Sequence, residues 1–456
     1  EEPKKEEPKK DGPATRPTTT GAKPDLVVWH WKDARPQPMQ QVQATADKAF
    51  NYLCVYRVKE KKFLRLADES VRNVTPAPKH RYAIGSDIKP YQLMTSLDGR
   101  RYQDVYIINM ETGERKKALT KARWAFGTSP AGTHMLYYED GIYKTLELAT
   151  GKSINISDKA KTSFIDSTDD HNIEKAPTRS LGWSSDGKYV FITDNWDIWQ
   201  LAVNGESAVN WTGDGKAKGI EYRSRVIFDF EEKGLDLSKP AFVSLVEERT
   251  KKSGYGRIEP GKPGVTVLLW DDAEFSALSK AKNAEIYTYT RETALEYPDL
   301  YVVDGTFKGP KKLTNTNPQQ NEYLWLSGTK LVDYVGTNKE KLQGALFLPA
   351  NYEKGKKYPT IVYIYEKLSD NLHRYQAPGI GGFNRSLYTS NGYAVLMPDI
   401  KYALNDPGIS SVSCILPALD AAIATGIVDG DKVGLHGHSW GGYQTAFAIT
   451  QTDRFK

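Results

Sequence analysis

Cysteine is scarce in this chain of 456 residues, which contains only Cys54 and Cys414. The two lie in different predicted domains, so we expect no disulfide framework, and no cysteine or histidine spacing matches a metal site. Long apolar runs are missing as well, because none approaches the length of about 20 residues that crosses a bilayer. We therefore expect no metal, no other cofactor and no membrane span.

The chain also lacks a large surplus of one charge sign. The chain has 62 lysines and arginines against 57 aspartates and glutamates, a net charge of +5. The basic residues alternate with acidic ones and form no stripe, so the sequence does not indicate nucleic-acid binding. Tyrosine and tryptophan are plentiful, at 27 and 10 residues. The composition is that of an ordinary globular protein, and the length predicts about two to four domains.

The N-terminal segment, residues 1–24, is rich in Pro, Thr, Lys and Glu. It buries too little apolar surface to offset the entropy of ordering, so we expect a flexible linker. The chain opens with a charged, proline-containing repeat and not with Met or a signal sequence, and we expect both ends to be cut from a longer protein. Compartment and oligomeric state stay open, with a periplasmic or secreted location favoured.

From residue 25 to about 335, short strands punctuated by glycine turns repeat along the chain. The clearest pair of repeats is Ser129-Pro130-Ala131-Gly132-Thr133 and Ser184-Ser185-Asp186-Gly187-Lys188. Their glycines lie 55 residues apart. A unit of this kind hides its faces only against its neighbours. The sequence therefore predicts an all-β propeller of roughly five or six blades over residues 25–335.

A different pattern covers residues 336–456. Helix-compatible segments separate four apolar runs of strand length, at residues 342–348, 360–365, 393–397 and 433–436. Strands that alternate with helices favour a parallel sheet. One of the helical segments contains Pro417, which should kink the helix or mark its first turn.

The last apolar run leads into the pattern GxSxG, formed by Gly437, Ser439 and Gly441. A serine hydroxyl reacts only when a tight turn exposes it to a base and turns backbone amides toward the developing oxyanion. The strand, turn and helix signals here agree with such a nucleophile elbow. Ser439 is the predicted nucleophile, and the backbone amide of Trp440, at the head of the following helix, is a predicted oxyanion donor.

The segment Gly437-His438-Ser439-Trp440-Gly441-Gly442-Tyr443 resembles the nucleophile motif GxSxGGY of the prolyl oligopeptidase family of serine peptidases. The resemblance extends through residues 344–352, 357–365 and 391–399. It implies a multidomain protein that cleaves short peptides, with an all-β propeller, here expected to be incomplete, followed by the first part of an α/β-hydrolase domain. It also implies a triad Asp and His that follow the serine. Neither is expected in this chain, so we predict that residues 1–456 alone are inactive.

The resemblance assigns a second, side-chain oxyanion donor to Tyr365, which stands at the end of an earlier strand. The chain departs from the family pattern directly after it, where Glu366 and Lys367 replace the usual small residues. A second departure covers residues 400–403, where relatives commonly have an Arg and Gly cluster. We therefore expect the loop beside the site to be shaped differently.

Two further pairs have simpler explanations. His436 and His438 flank the elbow glycine with no third ligand nearby, so we interpret them as packing residues and not as a metal pair. Glu231 and Glu232 resemble the paired glutamates with which dipeptidyl peptidases hold a substrate amino terminus. Acidic pairs are common on solvated loops, and we interpret this one as surface.

Three functions remain open at the level of the sequence. The first is a serine peptidase that uses an acyl-enzyme on Ser439, with the propeller limiting entry to short peptides. The second is an esterase or other acyl hydrolase on the same fold, since fold and elbow do not fix the substrate. The third is a propeller scaffold protein with a vestigial hydrolase domain.

Overall fold

The computed structural model describes residues 26–456. The predicted linker, residues 1–24, lies outside the described residues. The described chain begins with helix α1 (Gln37–Lys48) and a two-stranded antiparallel hairpin of β1 (Cys54–Arg57) and β2 (Lys62–Arg65). Five four-stranded sheets and one five-stranded sheet follow.

Each four-stranded sheet is an antiparallel meander, with strands paired in chain order. The first two sheets comprise β3 (Asn73–Pro76), β4 (Tyr82–Asp87), β5 (Gln103–Asn109) and β6 (Arg115–Ala122), then β7 (Trp124–Thr128), β8 (His134–Glu139), β9 (Ile142–Glu147) and β10 (Ser153–Asn155). The third comprises β11 (Ser180–Trp183), β12 (Tyr189–Thr193), β13 (Ile198–Ala202) and β14 (Ala208–Asn210). The last two comprise β15 (Ile220–Arg225), β16 (Ala241–Glu247), β17 (Ser253–Ile258) and β18 (Thr266–Asp271), then β19 (Glu274–Lys280), β20 (Ile286–Glu292), β21 (Asp299–Asp304) and β22 (Lys311–Lys312). Helices α2 (Gln92–Asp98) and α3 (Gly215–Lys218) lie in connections, as do short 3₁₀ helices at Pro78–His80, Lys89–Tyr91 and Pro318–Glu322.

Neighbouring sheets are joined by alternate side chains of their central strands. In β8, Met135 and Tyr137 pack against the first sheet, whereas Leu136 and Tyr138 pack against the third. This division follows from the period of two along a strand, which sends successive side chains to opposite faces. In β12, Val190 likewise belongs to the cluster shared with the preceding sheet. The sheets therefore stack face to face through apolar cores, as blades of a propeller do, and the predicted all-β region is confirmed.

The repeated glycine turns also contact the preceding unit. Gly187 has a positive φ of 72°, and a Cβ placed on it would lie 3.0 Å from the Cβ of Ala131. Ala131 is in the equivalent turn of the preceding sheet. The repeat therefore needs glycine both for its backbone conformation and for the close approach of two blades.

The α/β sheet has the strand order β23-β24-β26-β25-β27. Its elements are β23 (Gly328–Val335), β24 (Lys341–Leu348), β25 (Tyr358–Ile364), a 3₁₀ helix (Ser369–Asn371), α4 (Arg385–Ser390), β26 (Ala394–Pro398), α5 (Pro407–Ala424), β27 (Val428–Gly437) and α6 (Trp440–Ala448). The three strands β26, β25 and β27 pair in parallel, as the sequence predicts. The strands β23 and β24 add antiparallel pairs at the other edge. Because β23 pairs with β24 along its whole length, the sheet begins at Gly328, before the predicted boundary at residue 336.

Helix α5 contains two prolines with different consequences. Pro407 stands at its first turn, where the missing N–H costs nothing. Pro417 lies in the interior and cannot donate to the carbonyl of Ser413, which instead accepts a hydrogen bond from the Thr337 amide at 3.1 Å. Within residues 26–456, α5 is the one helix long and apolar enough to cross a membrane. Its Leu419, like other apolar residues of the helix, is fully buried against the sheet.

Candidate active site

Ser439 lies at the sharp turn between β27 and α6. Its φ and ψ are 54° and −114°, a conformation that L-residues rarely adopt. The residue is exposed, and it occupies the N-cap position of the helix whose first residue is Trp440, without a side-chain capping hydrogen bond. Such strain persists only where the surrounding structure enforces it, and it is concentrated at functional sites. The geometry is that of the predicted nucleophile elbow.

The glycines on either side of Ser439 make this turn possible. A Cβ on Gly437 would lie 2.0 Å from the carbonyl oxygen of Gly441, which is a backbone atom. A Cβ on Gly441 would lie 2.3 Å from the carbonyl oxygen of Ile364 in β25. Strand and helix therefore approach so closely that only glycine fits at both positions.

Tyr365 lies beside this turn. It directly follows β25, whose last residue, Ile364, is in register with Gly437 at the end of β27. The carboxyl ends of the two parallel strands therefore meet at one edge of the sheet. The Tyr365 ring is 3.6 Å from the position that a Cβ of Gly441 would occupy. The structure thus brings together the three residues singled out by the sequence, Ser439, Trp440 and Tyr365.

A residue to which the sequence assigned no role, Tyr402, connects these parts. Its hydroxyl donates to the carbonyl oxygen of Tyr365 at 2.7 Å and accepts from the indole N–H of Trp440 at 2.8 Å. It also accepts from the side-chain amide of Gln444 in α6. Burial raises the pKa of the Tyr402 phenol, so the hydroxyl keeps its proton. The only sequence signal for this residue is its position in the departure at residues 400–403.

The loop after Tyr365 is anchored by buried polar groups. The carboxylate of Asp399, at the end of β26, accepts from the amide and the hydroxyl of Ser369 at 2.8 and 2.7 Å. Burial is the largest influence on Asp399 and raises its pKa. The neighbouring Asp370 forms an ion pair of 2.9 Å with Lys251 of the propeller. Burial is the largest single influence on Asp370 and favours its neutral form, but the charges of Lys251, Lys367 and Arg223 and the Lys251 hydrogen bond together outweigh it, so the pKa is lowered.

A propeller loop between β10 and β11 also contacts the site. Its Asp170 accepts a hydrogen bond from the backbone amide of Tyr402 at 2.6 Å. The imidazole of His171 lies between the carboxylates of Asp169 and Glu366, at 2.7 and 3.0 Å. The hydrogen bond to Asp169 is the main reason why the pKa of His171 is raised. Atoms of Asp169, Asp170 and His171 that could bind a metal ion lie within 4.8 Å of one another. All three side chains already take part in the hydrogen bonds described above.

The two elbow histidines have different surroundings. The ring of His436 packs against Tyr363 and Phe383, with centroids 5.7 and 5.1 Å apart. His438 is exposed. Within residues 26–456, no hydrogen bond joins the Ser439 hydroxyl to a histidine or a carboxylate.

The paired glutamates Glu231 and Glu232 lie in the propeller. Glu231 is exposed, whereas Glu232 is half-buried and forms an ion pair with Arg225. Their contacts do not include the elbow among the residues that the structure describes.

A sequence model described as the prolyl oligopeptidase family matches residues 403–456, which contain α5, β27, Ser439 and α6. The end of the hydrolase part, from residue 403, is therefore similar to the prolyl oligopeptidase family. Dipeptidyl peptidase 8 of Mus musculus and that of Homo sapiens are each 26% identical to this chain over 140 residues. These matches cover 27% of the chain and 15% of the relative.

Solved structures show the same fold over most of the chain. Dipeptidyl peptidase 4 of Porphyromonas gingivalis aligns with a TM-score of 0.62 and 12% identity, covering 90% of this chain and 65% of that one. A puromycin-hydrolyzing peptidase of Mycobacterium tuberculosis aligns with a TM-score of 0.52 and 15% identity, covering 89% and 64%. The chain thus spans slightly less than two thirds of these proteins. The predicted fold class, a propeller followed by the start of an α/β-hydrolase domain, is confirmed.

Proposed function

We propose that the whole protein is a serine peptidase that cleaves short peptides through an acyl-enzyme on Ser439. The observation that carries this proposal is the exposed, strained serine at the head of α6. In the first step, the Ser439 oxygen bonds to the scissile carbonyl carbon and its proton passes to a base; the base then gives this proton to the nitrogen, and the amine leaves as the C–N bond breaks. Water then attacks the ester, releasing the acid and restoring the hydroxyl.

Two donors are proposed for the oxyanion. The backbone amide of Trp440 has no hydrogen-bond partner among the described residues, and it points from the first turn of α6, where the helix dipole also favours negative charge. The hydroxyl of Tyr365, on the neighbouring strand end, is likewise without a partner within residues 26–456. A donor that is held ready and unpaired suits a charge that develops only in the transition state.

The base and the acid are assigned to other parts of the whole protein. No histidine in the described part of the chain hydrogen-bonds to Ser439. Without a base, the serine proton has no favourable acceptor and the hydroxyl is a poor nucleophile. On this proposal, residues 1–456 expressed alone have essentially no peptidase activity.

Peptides are the proposed substrates because the relatives include dipeptidyl peptidases and a puromycin-hydrolyzing peptidase. The propeller supports this choice, since Asp170 and His171 of its loop contact Tyr402 and Glu366 at the edge of the site. Access gated by the propeller is therefore part of the proposal.

The test compares a set of peptidyl amides with simple esters as substrates of the whole protein and of its Ser439→Ala variant. The proposal predicts hydrolysis of peptidyl amides that falls by roughly 10⁴-fold or more in the variant. Ester hydrolysis without amide hydrolysis would favour another acyl hydrolase. A folded protein that hydrolyses neither would favour a scaffold.

A further inference from the structure

One buried hydroxyl joins the two elements that carry the proposed oxyanion donors. Tyr402 lies in the loop after β26, outside both elements, and is 9% exposed. Its Oη donates to the carbonyl of Tyr365 and accepts from Trp440 and Gln444. A phenol has one proton and two acceptor sites, so its hydrogen-bonding capacity is fully used across the gap between the β25 end and α6.

The position of Tyr402 is itself fixed from two sides. On one side its ring packs edge-to-face against the Trp440 ring, with centroids 5.9 Å apart. On the other side its backbone amide is bound by Asp170 of the propeller loop at 2.6 Å. A group held in this way restrains the atoms that it binds, and hydrogen bonds are strengthened where water is excluded.

We propose that Tyr402 is a positioning residue that sets the distance between the Tyr365 strand end and the helix headed by Ser439 and Trp440. The inference rests on the proposed function, because it concerns donors whose role is proposed there. Oxyanion donors act only when they are within hydrogen-bonding distance of the position that the charged oxygen will occupy. Tyr402 does not touch the substrate. It acts through the Tyr365 backbone and the Trp440 side chain.

The test is the Tyr402→Phe variant of the whole protein, which keeps the ring and removes the hydroxyl. We expect kcat to fall about tenfold or more, with KM changed less than about twofold, since the loss concerns the transition state. The matched control is Tyr358→Phe. Tyr358 is buried in the same sheet, and its hydroxyl accepts from the Glu353 amide at 2.7 Å, at the start of β25 and far along the strand from Tyr365. This control should lose stability but keep its kcat.

A double-mutant cycle with Tyr365→Phe separates positioning from a general effect on structure. If Tyr402 acts through Tyr365, the double variant should lose clearly less than the product of the two single losses. A wild-type kcat in Tyr402→Phe, or fully multiplicative losses, would overturn the inference. Where Tyr402→Phe does not fold, Trp440→Phe removes one of the same hydrogen bonds and should lower kcat severalfold. An unchanged kcat there would also overturn it.

Failure of the proposed function gives a different result. In that case hydrolysis of peptidyl amides is absent or survives in the Ser439→Ala variant, so the cycle has no Ser439-dependent amide hydrolysis to measure. A Ser439-dependent rate that is insensitive to Tyr402→Phe leaves the proposed function intact and removes only the positioning role.

Discussion

The proposed role of the Tyr365 hydroxyl in catalysis is separable from folding. In the whole protein, Tyr365→Phe should lower kcat by roughly a hundredfold, because one oxyanion donor is lost, while KM and melting temperature stay nearly unchanged. Steady-state kinetics beside thermal unfolding measure this. A turnover number equal to that of the wild type would exclude the Tyr365 hydroxyl from the mechanism.

A substitution at Gly437 tests the geometry of the nucleophile elbow. In Gly437→Ala, the new methyl group would meet the Gly441 carbonyl at 2.0 Å, so the turn must open and labelling of Ser439 by a fluorophosphonate should be lost. Gly442→Ala is the matched control in the same motif. Its Cβ would lie 3.8 Å from the carbonyl oxygen of Gly437, an ordinary contact, and alanine favours the helix. Equal labelling of the two variants would contradict the steric account.

At the residue scale, the sequence identifies site residues that are neighbours along the chain and misses those that only the fold brings together. Ser439 and its glycines stand within five positions, so a local pattern identifies them. Tyr402 is 37 residues from Tyr365 and 38 from Trp440, and no spacing along the chain indicates that they meet. Its departure from the family pattern is visible, but the meaning of that departure requires the fold.

The propeller loop at residues 169–171 should give the stability of the protein a dependence on pH. The carboxylates of Asp169 and Glu366 stabilise protonated His171, and the amine of Lys175 binds its carbonyl at 2.8 Å. Because the folded pKa of His171 is raised, its contribution is complete below the unfolded value of about 6.5 and is lost as the pH rises through the higher folded value.

The measurement compares melting temperatures of the wild type and His171→Gln between about pH 5.5 and pH 8. At the lower pH the wild type should have a higher melting temperature than His171→Gln, and this difference should shrink as the pH rises. Glu366→Gln removes one of the two carboxylates and should weaken the same trend. A difference that is constant across the range, or that grows with pH, would contradict the assigned contacts.

At the element scale, the bounds of strands with continuous apolar runs can be predicted from the sequence. The sheet to which an alternating strand belongs cannot, because it depends on which strand it pairs with. The predicted runs at 342–348 and 393–397 coincide with β24 and β26 to within one residue at each end. Strand β23 has an alternating burial pattern that suits a propeller strand as well as a sheet edge. Only its register with β24 assigns it to the α/β sheet.

On the scale of the molecule, the ion pair between Lys251 and Asp370 should stabilise the contact between the propeller and the hydrolase part. The Lys251 side chain is 4% exposed and that of Asp370 33%. Lys251→Met leaves Asp370 without its main partner and should reduce the free energy of unfolding by roughly 1–3 kcal/mol, less than for a fully buried pair because water reaches Asp370.

The adjacent Lys252 provides the control. It is 37% exposed and pairs with Asp272 at 3.6 Å, so Lys252→Met should change stability by less than about 0.5 kcal/mol. Denaturant unfolding of both variants measures the difference. Equal effects would show that the Lys251 contact does not hold the two parts together.

The arrangement of whole domains is predictable only in part. Repeated turns with glycines 55 residues apart indicate stacked sheets, because each unit needs a neighbour to cover its faces. The contacts between propeller and hydrolase part join residues that lie far apart in the chain, such as Lys251 and Asp370, 119 residues apart. These contacts depend on how two folded domains pack together, and no local sequence pattern predicts them.

Covalent labelling tests whether Ser439 is an activated nucleophile. The whole folded protein is treated with a fluorophosphonate probe, digested and analysed by mass spectrometry, beside its Ser439→Ala variant. We expect one modified residue, Ser439, and no labelling of the variant. Labelling that persists in Ser439→Ala, or an unmodified Ser439 in the folded protein, would contradict it.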